Sequence, residues 1–306
     1  LYPSRHFVQT TRPDWRGLGA VLAGASVLGV SAVFVKWAVA GGASVLTVGF
    51  YRMVFALPGA FLLARASGGR AGGAGRGWAI GAGFFFSLDL ALWHLAMRST
   101  TAANATLLVG LSPLWVALTS ALVWNRRFQV LGWVGQAVGL AGALVLALAR
   151  GARSGSGRGE AIAVGASFCY AAFTLTMSRA RRTLAAPQAL VWMSLTCLAC
   201  FAVAIAVVRD PLAGYDGRGW LSLVGLGLVV QLLGWWLNSW GLGHVDAATG
   251  AIALQMQQVA TLFLSAWLLA EPLRPLGVLG GALIVAGIVM VATGGRPRRG
   301  PGARQM

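Results

Sequence analysis

Apolar runs of about twenty residues follow one another along the chain, each closed by a short cluster of Gly, Pro, Ser, Asn or Arg. A helix rises about 1.5 Å per residue, so a run of about 20 apolar residues is what crosses the hydrocarbon of a bilayer. By that rule the pattern predicts ten spanning helices, at 17–40, 43–64, 77–97, 101–123, 129–149, 159–179, 187–208, 219–240, 246–269 and 275–293. The first run follows Arg5, Arg12 and Arg16, as in a signal peptide, but it continues to Ala40. That is too long for a cleaved apolar segment, and it reads as a spanning helix.

The second half of the pattern repeats the first. Shifted back by about 145 positions, His244–Met290 lies over Ser99–Val145 without a gap. Ala247-Ala248 then falls on Ala102-Ala103, Ser265-Ala266 on Ser120-Ala121, and Gly277, Gly280 and Gly287 on Gly132, Gly135 and Gly142. The expected domains are therefore two five-helix repeats, residues 1–150 and 151–306. An odd number of spans per repeat places the second upside down relative to the first, an inverted 5+5 architecture that many secondary transporters share. Gly135-x-x-x-Gly139 and Gly277-x-x-x-Gly281 let helices cross closely, and predict that the fifth and tenth spans pack on each other; a homodimer face is the other use of such motifs.

Composition agrees with this all-α integral membrane reading. The 306 residues are 58% hydrophobic and 10% charged, with mean hydropathy +0.74, against about 25% charged in a soluble domain. The net charge of +17 comes from arginines at helix ends and forms no stripe, so membrane flanks explain it and nucleic acid is not expected. With the N-terminus in the cytoplasm, fifteen of the loop arginines fall on the inner side and seven (Arg98, Arg150, Arg153, Arg158, Arg209, Arg218, Arg274) on the outer. The excess places both termini in the cytoplasm. Cys197-Leu-Ala-Cys200 has the spacing of a redox motif without its helix–strand context, and Cys169, Cys197 and Cys200 read as buried thiols.

Several residues resemble a known family. Arg52 within Phe50-Tyr51-Arg52-Met53, the proline of Leu111-Ser112-Pro113-Leu114, and Glu271 before the last span are similar to the drug/metabolite transporter superfamily in its EamA-type branch. The first half departs from that pattern with Asn125-Arg126-Arg127 in place of the Glu, and the second has Gln257-Gln258 where the proline would sit. Within the superfamily the chain looks most like YddG-type aromatic amino-acid exporters. The resemblance implies a multi-pass protein of the bacterial cytoplasmic (inner) membrane that exports aromatic and other neutral amino acids.

Polar groups inside a membrane cost about 2.5–3.5 kcal/mol when charged and central, so each calls for a reason. Arg52 and Asp89 fall at similar depth in the second and third spans. Either they form a structural ion pair, or Asp89 is a proton-coupling or amino-group site. Gln231, Trp235, Asn238 and Leu242 recur along one helical face, with Phe86, Asp89, Leu90 and Trp93 as the corresponding face of the third span. Ala251, Gln255, Gln258 and Leu262 make a third stripe; His94, Asn104, Ser112, Ser167, Tyr170 and Thr174 add polarity. Interhelical glue accounts for any one of these, at about 0.6 kcal/mol each. Together, Phe86, Asp89, Trp93, His94, Asn104, Tyr170, Gln231, Trp235, Asn238, Gln255 and Gln258 predict a central cavity for a small neutral or zwitterionic amphipath.

No cofactor, metal or catalytic constellation is expected. Gly-rich Ser67–Gly77 lacks the Lys-Ser/Thr of a phosphate-binding loop, which leaves an ion gradient or downhill flux as driving force. A membrane-embedded lipid- or metabolite-modifying enzyme would need clustered carboxylates or a His with an acid partner, whereas the seven acidic residues are scattered. A channel would need a continuous polar lining. The predicted partners are a small-molecule substrate and membrane lipid, around a monomer.

Overall fold

In the computed structural model, residues 14–68, 73, 75–96, 99–100, 105, 108–124, 130–149, 157–270 and 272–294 are described. Every regular element among them is helical: α1 Trp15–Leu28, α2 Ser31–Ala40, α3 Val45–Ala66, α4 Arg76–Ala96, α5 Ser112–Trp124, α6 Val130–Ala149, α7 Arg158–Ala180 and α8 Ala186–Val208. There follow α9 Gly217–Gly225, a π-helical segment Leu226–Gly234, α10 Trp235–Leu242, α11 Ala247–Leu254, α12 Met256–Leu268 and α13 Pro275–Gly294. Eight helical stretches of the described residues are long and apolar enough to cross a membrane, and Ser112–Val123 is a shorter apolar helix. Outward faces carry bare Leu122, Val130, Val207 and Trp267, as lipid-facing surfaces do.

Helix starts follow from side-chain caps, which occupy backbone N–H groups that the helix leaves free. Asp14 accepts from the N–H of Arg16 and Gly17, Asp216 from Gly219, and Asp246 from Ala248 and Thr249. Three predicted spans are not plain α-helices. The first breaks at Gly29-Val30, and the freed Gly29 carbonyl accepts from Thr261 Oγ1 at 3.1 Å. The ninth breaks at Gln255, whose Nε2 donates to the Gly110 carbonyl at 2.9 Å. The first break is tolerable at membrane depth because a neighbouring helix re-satisfies the freed carbonyl, while at the ninth the Gln255 side chain satisfies the carbonyl of Gly110. The eighth passes through the π segment, a widened turn that occurs often at functional sites.

The interhelical pairs form a regular set. α4 packs on α7, and α1 on α10; α4 on α8, and α3 on the π segment; α5 on α7, and α1 on α12. In each case one pair becomes the other when 145 is added to or subtracted from its residue numbers. α3·α8 and α6·α13 map onto themselves.

The α6·α13 contact is the closest, and glycines explain it. A methyl group on Gly142 would sit 2.6 Å from the Ile284 nitrogen, on Gly280 2.6 Å from that of Leu146, and on Gly287 2.6 Å from that of Gly139. A methyl on Gly135 would lie 2.8 Å from Met290 Cβ. The N-terminal part of α6 thus meets the C-terminal part of α13, so the two helices are antiparallel. The expected packing of these spans is present, with one correction. Gly277 lies nearest Leu262 of α12, with Ala149 and Leu146 of α6 at 3.7 Å, and Gly281 faces Val259 and Leu262 of α12, so the closest crossing is made not by the second small-residue motif but by Gly280 and Gly287, two turns apart.

Candidate functional site

The main buried core contains an aromatic cluster drawn from three helices. Phe86 of α4, Phe173 of α7 and Trp235 of α10 lie with ring centroids 5.0–5.2 Å apart, Phe173 and Trp235 edge to face at 90°. Tyr170, one turn before Phe173, adds a fourth ring at 5.6 Å. Such offset and edge-on arrangements are the favoured ones for aromatic quadrupoles. These rings are in mutual contact.

Polar groups sit directly on this cluster. Arg52 of α3, 8% exposed, places its guanidinium carbon 5.8 Å from the Phe86 centroid. Its Nε donates to Gln231 Oε1 at 2.8 Å, and Gln231 Nε2 donates to Ser194 Oγ of α8 at 3.3 Å. The π segment therefore aims Gln231 at a cation on a different helix. Asp89, 4% exposed, has no hydrogen-bond partner at Oδ1. Arg52 is engaged by Gln231, and among the described residues no ion pair joins it to Asp89. Trp235 Nε1 and both amide atoms of Asn238 are also buried without partners; Asn238 packs at Gly24 of α1, where a Cβ would meet its Oδ1 at 2.7 Å.

Phe86, Tyr170, Gln231 and Trp235 are thus gathered at one place, with Asp89 and Asn238 one turn along their helices. The stripe Gln231, Trp235, Asn238, Leu242 is buried throughout, as its spacing predicted. Other candidates go elsewhere. Trp93 packs with Ala96, Ala105 and Ala163. Gln255 is a strut to Gly110, and Gln258 Nε2 donates to Gln255 Oε1 at 2.8 Å. Asn104 and the His94 side chain lie outside the described residues. Sequence reasoning missed Phe173 and Ser194, which carry no signal beyond apolar or small character, and counted Arg52 as part of the family pattern and as the partner of an ion pair, not as a site residue.

Both ends of the cluster are tied. At one end the 41–44 and 209–216 loops interlock: Ser44 Oγ donates to Asp210, the Asp216 N–H to the Gly41 carbonyl at 3.1 Å, and Tyr51 OH to the Leu212 carbonyl at 2.6 Å. Arg218 caps the arrangement 4.8 Å over Trp37. At the other end Gln188 Nε2 donates to Ser67 Oγ at 3.0 Å, while Arg76 and Arg179 lie over Trp192 and Trp78 at 4.2 and 5.6 Å. Nearby, Arg181 donates to the carbonyls of Ser239 and Leu184. Burial brings its pKa down to about 10, so it stays charged at neutral pH.

Among the described acidic residues, Asp14, Asp216 and Asp246 cap helices, Asp210 binds Ser44, and Glu160 accepts from Thr100 at 2.5 Å. Asp89 stands apart from these. No group of three or more His, Cys, Asp or Glu that could hold a metal ion occurs among the described residues.

A bundle of membrane-length helices around buried polar and aromatic residues is the build of a membrane transporter, and comparison with known proteins agrees. The EamA-like transporter family model matches the chain twice, over residues 15–148 and 157–293, and the chain belongs to that family. A solved crystal structure with 20% sequence identity superposes with a TM-score of 0.75, covering 90% of this chain and 97% of that one. At that identity the likeness concerns the fold. No curated protein shows a significant sequence match.

Proposed function

We propose that the chain is a secondary transporter that exports small hydrophobic metabolites, aromatic and other neutral amino acids foremost, by alternating access to the Phe86–Phe173–Trp235 site. The observation that carries the substrate class is the site's chemistry: aromatic walls suited to an apolar body, bordered by unpartnered Trp235 Nε1, Asn238 and Asp89. Buried polar atoms left unpaired cost about 1–3 kcal/mol each, a debt that a ligand with matching polar ends removes.

The architecture proposed is ten spans in two inverted repeats, 1–150 and 151–306, with both termini in the cytoplasm of a bacterial cell and the protein in its inner membrane as a monomer. Its support is the antiparallel α6·α13 crossing. Gly135–Val291 corresponds to Leu146–Gly280 under the 145-residue shift, and Gly139–Gly287 to Gly142–Ile284. Gln255 and Gly110, which bond to each other, are 145 apart and so meet at the pseudo-two-fold axis. Two halves so related can open one tied end while the other stays shut.

The test is Trp235→Ala in proteoliposomes. Exchange of labelled phenylalanine should fall at least about tenfold, since loss of a buried anchor is worth several kcal/mol. Gly19→Ala, at a position with open space around it, should exchange like the parent. Equal exchange by both variants would remove the aromatic cluster from the pathway.

A further inference from the structure

The geometry points to Arg52 and Asp89 as two poles of a zwitterion site: Arg52 takes the carboxylate and Asp89 the ammonium group of a substrate whose apolar body lies on the aromatic cluster. This rests on the transporter reading and narrows its substrate class to molecules carrying both charges.

Arg52 is fixed in a manner that a merely structural arginine would not need. Only its Nε is hydrogen-bonded, to Gln231, and Gln231 is itself held by Ser194. Among the described residues, its two Nη groups make no hydrogen bond and no acid pairs with it. A buried guanidinium without an anion is costly, yet the edge left free is the planar fork that a carboxylate fills bidentately. Two helices, α8 and the π segment, orient that fork.

Asp89 shows the complementary deficiency. It is buried in α4 with Oδ1 unpartnered, while the other described acids are bound at helix ends. Phe86 connects the two poles. Its ring lies 5.8 Å from the Arg52 guanidinium carbon, and Asp89 projects from the same helical face one turn later. Had Arg52 and Asp89 met, each would have satisfied the other and neither would recruit a ligand. Held apart, they are completed together only by a molecule with a cation and an anion; an amine or an acid alone leaves one pole unpaired. Sites built this way discriminate strongly, because the wrong ligand strands a buried polar group.

The experiment compares protein-dependent counterflow of labelled phenylalanine, 2-phenylethylamine and 3-phenylpropanoate in proteoliposomes, over protein-free vesicles. Phenylalanine should exchange at least about tenfold faster than either analogue. In Arg52→Gln, phenylalanine should fall by about tenfold or more while phenylethylamine does not fall. In Asp89→Asn the phenylpropanoate should be the substrate spared. Arg52→Lys, which keeps the charge and loses the fork, should lie between parent and Gln variant; with the parent's own selectivity it decides the matter if the Gln variant does not fold. Parallel loss of all three substrates in folded variants, or equal exchange of all three by the parent, overturns the two-pole site. Exchange of an analogue but not phenylalanine overturns it while leaving the transporter reading intact. Exchange of none of the three overturns both.

Discussion

Gly142→Ala tests whether the α6·α13 crossing is as close as described. The added Cβ would lie 2.6 Å from the Ile284 nitrogen, 2.7 Å from the Gly280 oxygen and 2.8 Å from Leu283 Cβ. Ordinary contact begins near 3.4 Å, and two of the three atoms are backbone, so relief requires the helices to part along their length. Overpacking of this kind costs about 1–3 kcal/mol, partly offset by the gain of up to about 1 kcal/mol that Ala has over Gly in a helix. The net expectation is a loss of roughly 1–2 kcal/mol, with the unfolding midpoint lowered by several degrees. Midpoints of purified protein in detergent, followed by exposure of the buried Cys197 thiol to a fluorogenic reagent, provide the measurement. Gly277→Ala is the informative control: its nearest neighbour is Leu262 Cδ1 at 3.3 Å, the end of a flexible side chain. It should unfold within a degree or two of the parent. If Gly142→Ala unfolds like the parent, or Gly277→Ala is the worse of the two, the packing argument is wrong.

Further outcomes are expected elsewhere. Gln255→Leu leaves the Gly110 carbonyl unpaired in a helix break and should lower stability by about 1–3 kcal/mol without altering the ratio of substrates exchanged; a selective loss of one substrate would return Gln255 to the binding site. Arg181→Ala removes two hydrogen bonds from a charged donor, and thermal unfolding should report a loss of about 1.5–3 kcal/mol. Its folded pKa of about 10 lies below that of an exposed arginine. The unfolded chain therefore holds the proton more tightly above pH 10, so the parent's stability should gain from Arg181 on alkalinisation there and be flat in this respect around neutrality. Arg218→Ala, which unties the end held over Trp37, should raise the labelling rate of a cysteine placed at Ser44 and leave one placed at Ser67 unchanged. Equal increases at both would mean the two ends do not move independently.

The helices were legible in the sequence because membrane spans announce themselves by length and apolarity, and all but one of the predicted intervals coincide with described helices to within a few residues. The interval 101–123 is the exception, since before α5 only residues 105 and 108–111 of it are described. The repeat offset of 145 residues was legible too, and it reappears in the pairing of Gln255 with Gly110. What was not legible depended on which backbone approaches which. Gly277 and Gly280 look alike in sequence; only the rotation of α13 about its axis sets Gly280 against the α6 backbone and leaves Gly277 nearest a side chain of α12. Gln231 was placed on the right face by assuming α-helical spacing, yet the π segment beneath it left no signal in residue type. Gln255 and Gln258 read as cavity polarity, whereas at the break in the ninth span Gln255 bonds the Gly110 carbonyl and Gln258 bonds the Gln255 side chain.

The central claim is transport of apolar amino acids through the site between the two halves. Counterflow measures it most directly: proteoliposomes are loaded with unlabelled phenylalanine or tryptophan, and uptake of the labelled amino acid is followed with and without a pH gradient. The account predicts a transient accumulation of label that depends on the internal amino acid and is abolished by Trp235→Ala. Label that equilibrates no faster than in protein-free vesicles, for every apolar amino acid tried, would contradict it.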